Sequence, residues 1–400
     1  MFGAILGDVI GSAYEKNNVS TTDFPLFTPQ STYTCDTVMS LAVAKGLIEG
    51  YGNPRKTRAA VIEALKEYGK KYPGVEYERN FAAWLTAANP RPYINSGCDA
   101  AVRASSCAWV YNSLKYVEHY AEITAKITHS NPEAIKAAKA LCSAIFLARQ
   151  AVSKEYIIDY ITDVYYYDLT KTVDELRKNN KFSKEAADTA PLAFAAFLEG
   201  NSYEEVIRLA VSMGGDSDAI SCMAGSIAEA YYPIPDEIKE QGLAKLDDNL
   251  KNTLKSYNDT IETLRTKRME KFKRLLELKP FFDKRAKTEW YAPKPVDNIT
   301  PFPYPKYGDE VMLLEEIIQD MDFGDFNYED TLQRYEYENA ELKDYGMGAN
   351  AASPYLLKAM LTDIVRKERF VDGNIADAVR YGVISTILSN LQKKLKRNMF

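Results

Sequence analysis

Residues 3–15 read GAILGDVIGSAYE, with a glycine at every fourth position from residue 3 to residue 11. Residues four apart lie on the same face of a helix, so these glycines form a face that another backbone can approach closely. Each glycine costs about 1 kcal/mol at a helix position, which requires a packing reason. Asp8, Ser12 and Glu15 follow an adjacent stripe. The stretch predicts a tightly packed helix with two carboxylates beside its contact face, although tight packing alone is the commoner meaning of such a pattern.

The composition indicates a folded chain without a basic binding surface. The 400 residues leave room for roughly two to three domains. Apolar residues make up 46% and charged residues 26%, which are globular proportions. The formal net charge of −6 excludes a global basic field, so we do not expect nucleic acid or an anionic membrane as a partner.

The numbers of cysteines and histidines limit which side chains can carry out catalysis or bind a metal. The five cysteines are an odd number without CxxC spacing, which fits reduced thiols better than a disulfide framework or a zinc knuckle. No stretch approaches the roughly 18 uninterrupted apolar residues of a membrane span, and the N-terminus lacks a basic signal region. We therefore expect a cytoplasmic protein. Because only two histidines occur, acid–base or metal chemistry must fall mainly on carboxylates.

The chain divides into a long helical region, a linker and a tail. Small-apolar helical patterns dominate the first 235 residues, and residues 243–278 describe a long amphipathic helix, for which a bundle helix is favoured over a dimerising coiled coil. Prolines at 293, 295, 301, 303 and 305 indicate an extended linker. The predicted boundaries are 1–285 for the main domain, 286–308 for the linker and 309–400 for a small helical domain.

Two predicted helix N-termini carry clusters of oxygen side chains. Thr34-Cys35-Asp36-Thr37 precedes one apolar helical run, and Gly214-Gly215-Asp216-Ser217-Asp218 separates two others. Helix capping explains one oxygen side chain at each end. If the two ends meet, then Thr34, Asp36, Asp216 and Asp218 form an oxygen-only site that suits Mg²⁺ or Mn²⁺ and disfavours zinc. The residues alone leave paired caps and a metal site as equal alternatives.

Five ordered blocks in about the first 235 to 280 residues resemble the ADP-ribosylglycohydrolase family, which includes the dinitrogenase reductase-activating glycohydrolases. The blocks are GAILGDVIGSAYE (3–15), TCDTVMSLAVA (34–44), THSNPEAIKAAKA (128–140), ADTAPLAFAAFLEGNSYEEVIRLAV (187–211) and GGDSDAISCMAGSIAEAYY (214–232). The resemblance implies an all-α orthogonal helical bundle that holds two Mg²⁺ or Mn²⁺ ions in a central cleft. It also implies hydrolysis of ADP-ribose linkages at the anomeric carbon.

The same resemblance implies roles for individual residues. Glu15 would assist the attack of water, as a catalytic residue together with Asp36 and Asp216. Residues 97–103 match a phosphate-binding loop. The implied metal ligands are Glu15, Thr34, Asp36, Asp216 and Asp218. The implied substrate-binding residues are Asp8, Gly97, Cys98, Asp99, Ala100 and His129.

Three departures from the family pattern fall in this site. Cys35 stands where the family usually has an aspartate, Ala219 where it usually has a threonine, and Asp99 where it has a glycine. The first two changes remove oxygen ligands and predict reduced metal occupancy. The third adds a carboxylate and a Cβ where a backbone normally approaches a diphosphate.

Two functional hypotheses follow. The first is hydrolysis of the N- or O-glycosidic bond linking ADP-ribose to a protein side chain or small molecule, assisted by one or two divalent cations. The second is a catalytically impaired pseudoenzyme that binds ADP-ribose, a related nucleotide or a partner protein. A purely structural scaffold with an empty cleft is a weaker third reading. The predicted partner is an ADP-ribosylated protein or small molecule, and the oligomeric state stays open.

The tail carries a resemblance of its own. Residues 322–326 read DFGDF, and residues 361–388 read LTDIVRKERFVDGNIADAVRYGVISTIL. Both are similar to a small helical domain of unknown function found behind some bacterial and phage ADP-ribosylglycohydrolases. The tail supports the family resemblance and implies no mechanism.

Overall fold

In a computed structural model the described residues are predominantly helical, with one short two-stranded ladder, which confirms the all-α prediction. The structure describes residues 1–179, 181–285, 287–291, 303–320 and 323–395. Its internal contacts divide it into two units. The first comprises Met1–Tyr111 and Tyr116–Thr263, and the second comprises Asn112–Lys115 and Leu264–Phe400.

The first unit is built from a run of mostly short helices, and the division between the units falls within its last one. These helices are α1 (Phe2–Gly11), α2 (Cys35–Glu49), α3 (Pro54–Lys71), α4 (Arg79–Thr86), α5 (Asp99–Ala104), α6 (Cys107–Val110), α7 (Leu114–Ala125), α8 (Pro132–Arg149), α9 (Lys154–Tyr165), α10 (Val173–Asn179), α11 (Ala186–Glu199), α12 (Tyr203–Ser212), α13 (Ser217–Tyr231), α14 (Asp236–Ala244) and α15 (Asp248–Glu277).

The glycine face of α1 packs directly on α13, in the close backbone contact that glycines four residues apart predict. A Cβ added at Gly3, Gly7 or Gly11 would lie closer than 3.0 Å to backbone atoms of α13, so a larger residue cannot enter without moving a helix. Ser221 Oγ donates to the carbonyl oxygen of Gly7 at 2.7 Å, and Ser217 Oγ donates to that of Gly11 at 2.9 Å. Helix α13 also packs against α8, α11 and α12, which makes it the central element of the unit.

Local sequence signals set the helix ends near the site. Thr34 is the N-cap of α2, and its side chain accepts a hydrogen bond from the Asp36 amide. The break between α12 and α13 is made by Gly214 and Gly215, whose φ angles of 69° and 77° suit glycine. One expectation is wrong: α1 ends at Gly11, so Glu15 lies in the following turn and not on the helical stripe.

The second unit has its own apolar core and one short ladder. Its further elements are α16 (Lys279–Asp283), β1 (Glu289–Tyr291), β2 (Tyr304–Lys306), α17 (Asp309–Gln319), α18 (Tyr328–Arg334), α19 (Leu342–Gly348), α20 (Pro354–Lys367), α21 (Asn374–Arg380) and α22 (Val383–Lys394). Helix α20 packs against α17, α18, α21 and α22 around side chains such as Leu357, Met360 and Leu361.

The predicted linker at 286–308 stays a prediction. Ala286, residues 292–302, which contain three of its five prolines, and Asp322 of the DFGDF segment lie outside the described residues. The described flanks, β1 and β2, pair antiparallel with Trp290 opposite Pro305. Within the described part of the chain, none of the helices is long and apolar enough to cross a membrane.

Candidate active site

Three helix ends bring acidic side chains together in the first unit. Asp8 lies on α1, Asp36 in the first turn of α2, and Asp216 and Asp218 at the start of α13. One ligand atom from each of Asp8, Asp36 and Asp218 lies within 4.8 Å of the others, and the same holds for Glu15, Asp216 and Asp218. Asp218 belongs to both groups, so the carboxylates form one continuous cluster. The two N-termini singled out in the sequence therefore do meet.

Asp8 holds the N-terminus of α2 in place. It is fully buried, and its Oδ2 accepts from the Thr34 amide at 3.0 Å, the Thr37 amide at 3.2 Å and the Thr37 hydroxyl at 2.5 Å. Its Oδ1 accepts from the Thr34 hydroxyl at 2.7 Å. Burial raises the pKa of Asp8, although these hydrogen bonds oppose the shift. The predicted substrate contact of Asp8 stays a prediction, whereas its hydrogen bonds hold the first turn of α2, which carries Asp36.

Asp218 carries the feature that points most directly to a ligand. Its side chain is 7% exposed, and its Oδ1 has no hydrogen-bond partner. Leaving a buried carboxylate oxygen without a donor is costly unless a ligand satisfies it. Burial and then the neighbouring charges, led by Asp216, raise the pKa of Asp218 well above its ordinary value, and burial with Asp218 does the same for Asp36. A divalent cation coordinated by oxygen would relieve both effects, so the residues fit Mg²⁺ or Mn²⁺.

Lys184 reaches the cluster from the loop before α11. Its Nζ lies 3.1 Å from Glu15 Oε1 and 3.5 Å from Asp216 Oδ1. Although burial lowers the pKa of Lys184, Asp216 and Glu15 outweigh it and raise the pKa overall. The role of Lys184 could not be predicted from the sequence, because it is a single lysine 169 residues from Glu15 and belongs to no periodic pattern.

Two of the three departures from the family pattern, Cys35 and Asp99, lie together beside Asp36. Ligand atoms of Cys35, Asp36 and Asp99 lie within 4.8 Å of one another, and Cys35 Sγ is 3.8 Å from Asp36 Oδ1. Burial and then Asp36 raise the pKa of the Cys35 thiol well above its ordinary value, so it favours the protonated form. Ala219 is buried on α13 and offers no ligand atom.

The predicted phosphate-binding loop is already hydrogen-bonded within the protein. The Gly97 amide donates to Asn95 Oδ1 at 2.8 Å, and the Cys98 amide donates to the Lys184 carbonyl at 2.9 Å. Cys98 and Ala100 are buried, and α5, which starts at Asp99, has only six residues. These two amides are therefore not free for a diphosphate, and phosphate binding by the loop stays a prediction.

His129 lies in a buried polar group with Arg103. Thr128 Oγ1 lies 2.8 Å from His129 Nδ1 and also accepts a hydrogen bond from Arg103. Burial and then the Arg103 charge lower the pKa of His129 to about 3, so its ring is neutral near neutral pH. His129 Nε2 and Arg103 Nε have no hydrogen-bond partner. The predicted contact of His129 with ADP-ribose stays a prediction.

A cleft of about 720 Å³ opens above the cluster. Glu15, Thr34, Cys35, Lys184 and Asp218 all contribute to its lining. Its polar lining also includes two tyrosines, two further lysines and a glutamate: Tyr33, Tyr72, Lys16, Lys71 and Glu76. The volume lies in the range of ligand pockets, and the cluster places carboxylates and one ammonium at its wall.

Comparison with known proteins gives two adjoining family matches. Residues 1–272 match the model of a family described as ADP-ribosylglycohydrolase. Residues 267–397 match a family of unknown function, DUF6508. The first match covers more than half of the chain and all of the residues assigned to the site.

Individual relatives are distant. An uncharacterized protein of Archaeoglobus fulgidus is 30% identical over 201 residues, which cover 45% of this chain and 60% of that protein, less than two thirds of its length. The ADP-ribosylhydrolase ARH3 of Mus musculus is 24% identical over 309 residues, covering 58% of this chain and 82% of that protein.

One solved structure, a chain from an ADP-ribosylglycohydrolase-related protein complex, also resembles this chain. It is 22% identical, with a TM-score of 0.45 over 61% of this chain and 95% of that one. A score this low adds nothing to the family match.

Proposed function

The chain belongs to the ADP-ribosylglycohydrolase family, and on that premise we propose that it hydrolyses the glycosidic bond between ADP-ribose and its carrier with the help of a divalent cation. The carrier is a protein side chain or a small molecule, attached through nitrogen or oxygen. One observation carries the proposal: the buried Asp218 Oδ1 lacks a hydrogen-bond partner, although Asp218 lines the cleft and belongs to a cluster with four other carboxylates.

The cluster is suited to a hard cation. All five implied ligands are oxygen donors, the kind that Mg²⁺ and Mn²⁺ prefer: Glu15, Thr34, Asp36, Asp216 and Asp218. Because Lys184 pairs with Glu15 and Asp216, Asp36 and Asp218 would be the main ligands of a bound ion. When bound, such an ion polarises an oxygen of the substrate and makes a coordinated water more acidic. The Cys35 thiol contributes little to magnesium binding.

The remaining steps use the chain's own residues. Glu15 lines the cleft with its side chain 20% exposed, and its Oε1 is engaged by Lys184. Its Oε2 forms no hydrogen bond with the described residues, so this oxygen is positioned to accept the proton of the attacking water. Asp36 and Asp216 are 7% and 3% exposed, which limits competing solvent around them.

Asp8 contributes to catalysis as a positioning residue. It does not itself line the cleft, but its bonds to Thr34 and Thr37 fix the first turn of α2. A loosened first turn would displace Asp36, and catalytic geometry tolerates displacements of only about 0.5 Å.

The alternative function is a catalytically impaired protein that binds ADP-ribose or a related nucleotide. Cys35 supports it, because its protonated thiol lies beside Asp36 where a carboxylate would hold a cation more strongly. Under this alternative the cleft still binds the ligand.

Release of free ADP-ribose distinguishes the two functions. The full chain is incubated with arginine-linked, serine-linked and nucleobase-linked ADP-ribose, with Mn²⁺ or with a chelator, and products are separated by chromatography. We expect release from at least one linkage in Mn²⁺ and its loss with the chelator. Calorimetric binding of ADP-ribose without any release would support the alternative and overturn hydrolysis.

We also propose that the protein works in a reducing compartment such as the cytoplasm. All five cysteines are free thiols, and four of them are buried. Such a pattern is typical of proteins that are not stabilised by disulfides.

A further inference from the structure

Lys184 places a positive charge inside the acidic cluster. Its Nζ lies between Glu15 Oε1 and Asp216 Oδ1, at 3.1 and 3.5 Å. Within the described residues, no lysine or arginine forms an ion pair with Asp36 or Asp218. Glu15 and Asp216 are therefore paired directly with an ammonium, whereas Asp36 and Asp218 feel the charges of Arg103 and Lys184 only at longer range.

The position of Lys184 is set by its backbone. Its carbonyl oxygen accepts from the Cys98 amide at 2.9 Å, and the Ala186 amide donates to the Ser96 carbonyl at 2.7 Å. These two bonds tie the lysine's loop to the segment that precedes α5. Cys98 Sγ, on the same segment, lies 3.6 Å from Asp216 Oδ2. Asp216 is thus held on one oxygen by the ammonium and on the other by the thiol.

An ammonium and a divalent cation compete for the same oxygens. Lysine presents a compact positive charge that satisfies carboxylates through three donors. A divalent ion at Glu15 and Asp216 would have to displace Lys184 and overcome its repulsion. Lys184 does not pair with Asp36 or Asp218, and Asp218 Oδ1 has no hydrogen-bond partner, so these two carboxylates are still available to bind a cation.

We propose that the Lys184 ammonium takes the place of a second divalent cation, so that this chain binds a single ion, on the side of Asp36 and Asp218. The proposal rests on the proposed function because it concerns the same site. It makes Lys184 a positioning residue that holds Glu15 and neutralises Asp216 without a metal.

The test counts Mn²⁺ ions bound per full-length chain without substrate. Mn²⁺ is titrated and free ion is measured by electron paramagnetic resonance, which also detects coupling between neighbouring Mn²⁺ ions. We expect one ion for the wild type and two coupled ions for Lys184→Met, which removes the charge and keeps an apolar side chain. Lys184→Arg, which keeps the charge, should bind one. The matched control Lys181→Met lies in the same exposed segment and should also bind one.

Two coupled ions in the wild type, or one ion in Lys184→Met, would overturn the proposal, as would no bound ion in the wild type. Circular dichroism of each variant shows that it is folded before the ions are counted. Because the count needs no turnover, it is separable from the hydrolase assay: an inactive protein that binds one ion, and two after Lys184→Met, keeps this proposal and refutes hydrolysis.

Discussion

Replacing Asp218 by asparagine should change stability in opposite directions with and without metal. Ligand atoms of Asp218 lie within 4.8 Å of those of Asp36 and of Asp216, in a buried setting. Two unit charges at that distance repel by about 3.5 kcal/mol at an effective dielectric constant of about 20. Protonation and rearrangement relieve part of this repulsion, so Asp218→Asn should stabilise the metal-free first unit by about 1–3 kcal/mol. The new amide can also donate to a neighbouring carboxylate.

In the presence of metal the order should reverse. An ion that binds only the folded state stabilises it by about 2.7 kcal/mol at a concentration one hundred times its dissociation constant. The wild type should gain that amount in Mn²⁺, whereas Asp218→Asn should gain little because it loses a shared ligand. The exposed residue Asp159, on α9, provides the matched control, and Asp159→Asn should behave like the wild type in both conditions.

The assay must report on the first unit alone, since two units need not unfold together. Hydrogen exchange against urea concentration, followed on peptides of α2 and α13, gives the free energy of opening for each helix. The reasoning is refuted if Asp218→Asn is less stable than the wild type in chelator. It is refuted equally if Mn²⁺ stabilises the variant as much as the wild type.

Three further substitutions test separate parts of the structure. Gly7→Ala should destabilise the first unit by about 1–3 kcal/mol in urea unfolding, because the added Cβ meets the backbone of α13. In the control Gly346→Ala the added Cβ would contact only Val383, at 3.8 Å, so this substitution should stabilise by about 0.5–1 kcal/mol. Equal effects of the two substitutions would contradict the described packing. Burial raises the pKa of Asp325 from 3.8 to about 6, so the folded second unit binds the proton more tightly than the unfolded chain does. The free energy of unfolding of this unit should therefore fall by about 3 kcal/mol as pH rises from about 4 to 7. Hydrogen exchange on α20 should show this fall, and the same pH dependence of stability in Asp325→Asn would argue against it. Glu15→Gln should lower the initial rate of ADP-ribose release by about 10²–10⁴-fold while one Mn²⁺ still binds; a wild-type rate would exclude Glu15 as the base.

The sequence predicts that another backbone packs closely on the glycine face of α1, because glycines four residues apart leave room for it, but it does not predict that the partner is α13. Gly3, Gly7 and Gly11 face α13, and the N-cap role of Thr34 follows equally from local chemistry. The position of Glu15 was harder to predict, because α1 stops at Gly11 and the chain then turns.

Contacts between residues that lie far apart in the chain could not be predicted from the sequence. Asp8 looks like one of several site carboxylates, but only the structure shows its four hydrogen bonds to the start of α2. Lys184 lies 169 residues from Glu15 and carries no pattern that predicts their ion pair. Asp99 likewise joins Cys35 and Asp36 through folding alone. Such pairings depend on how helices pack, which local propensity does not specify.

The location of a bound ion tests the central claim most directly. Crystals soaked with Mn²⁺ and ADP-ribose, with diffraction recorded at the manganese absorption edge, locate the metal without reference to turnover. We expect one anomalous peak in contact with Asp36 and Asp218, and the distal ribose of ADP-ribose in the cleft beside Glu15. The claim is contradicted if saturating Mn²⁺ gives no peak at these carboxylates, or if ADP-ribose binds away from them.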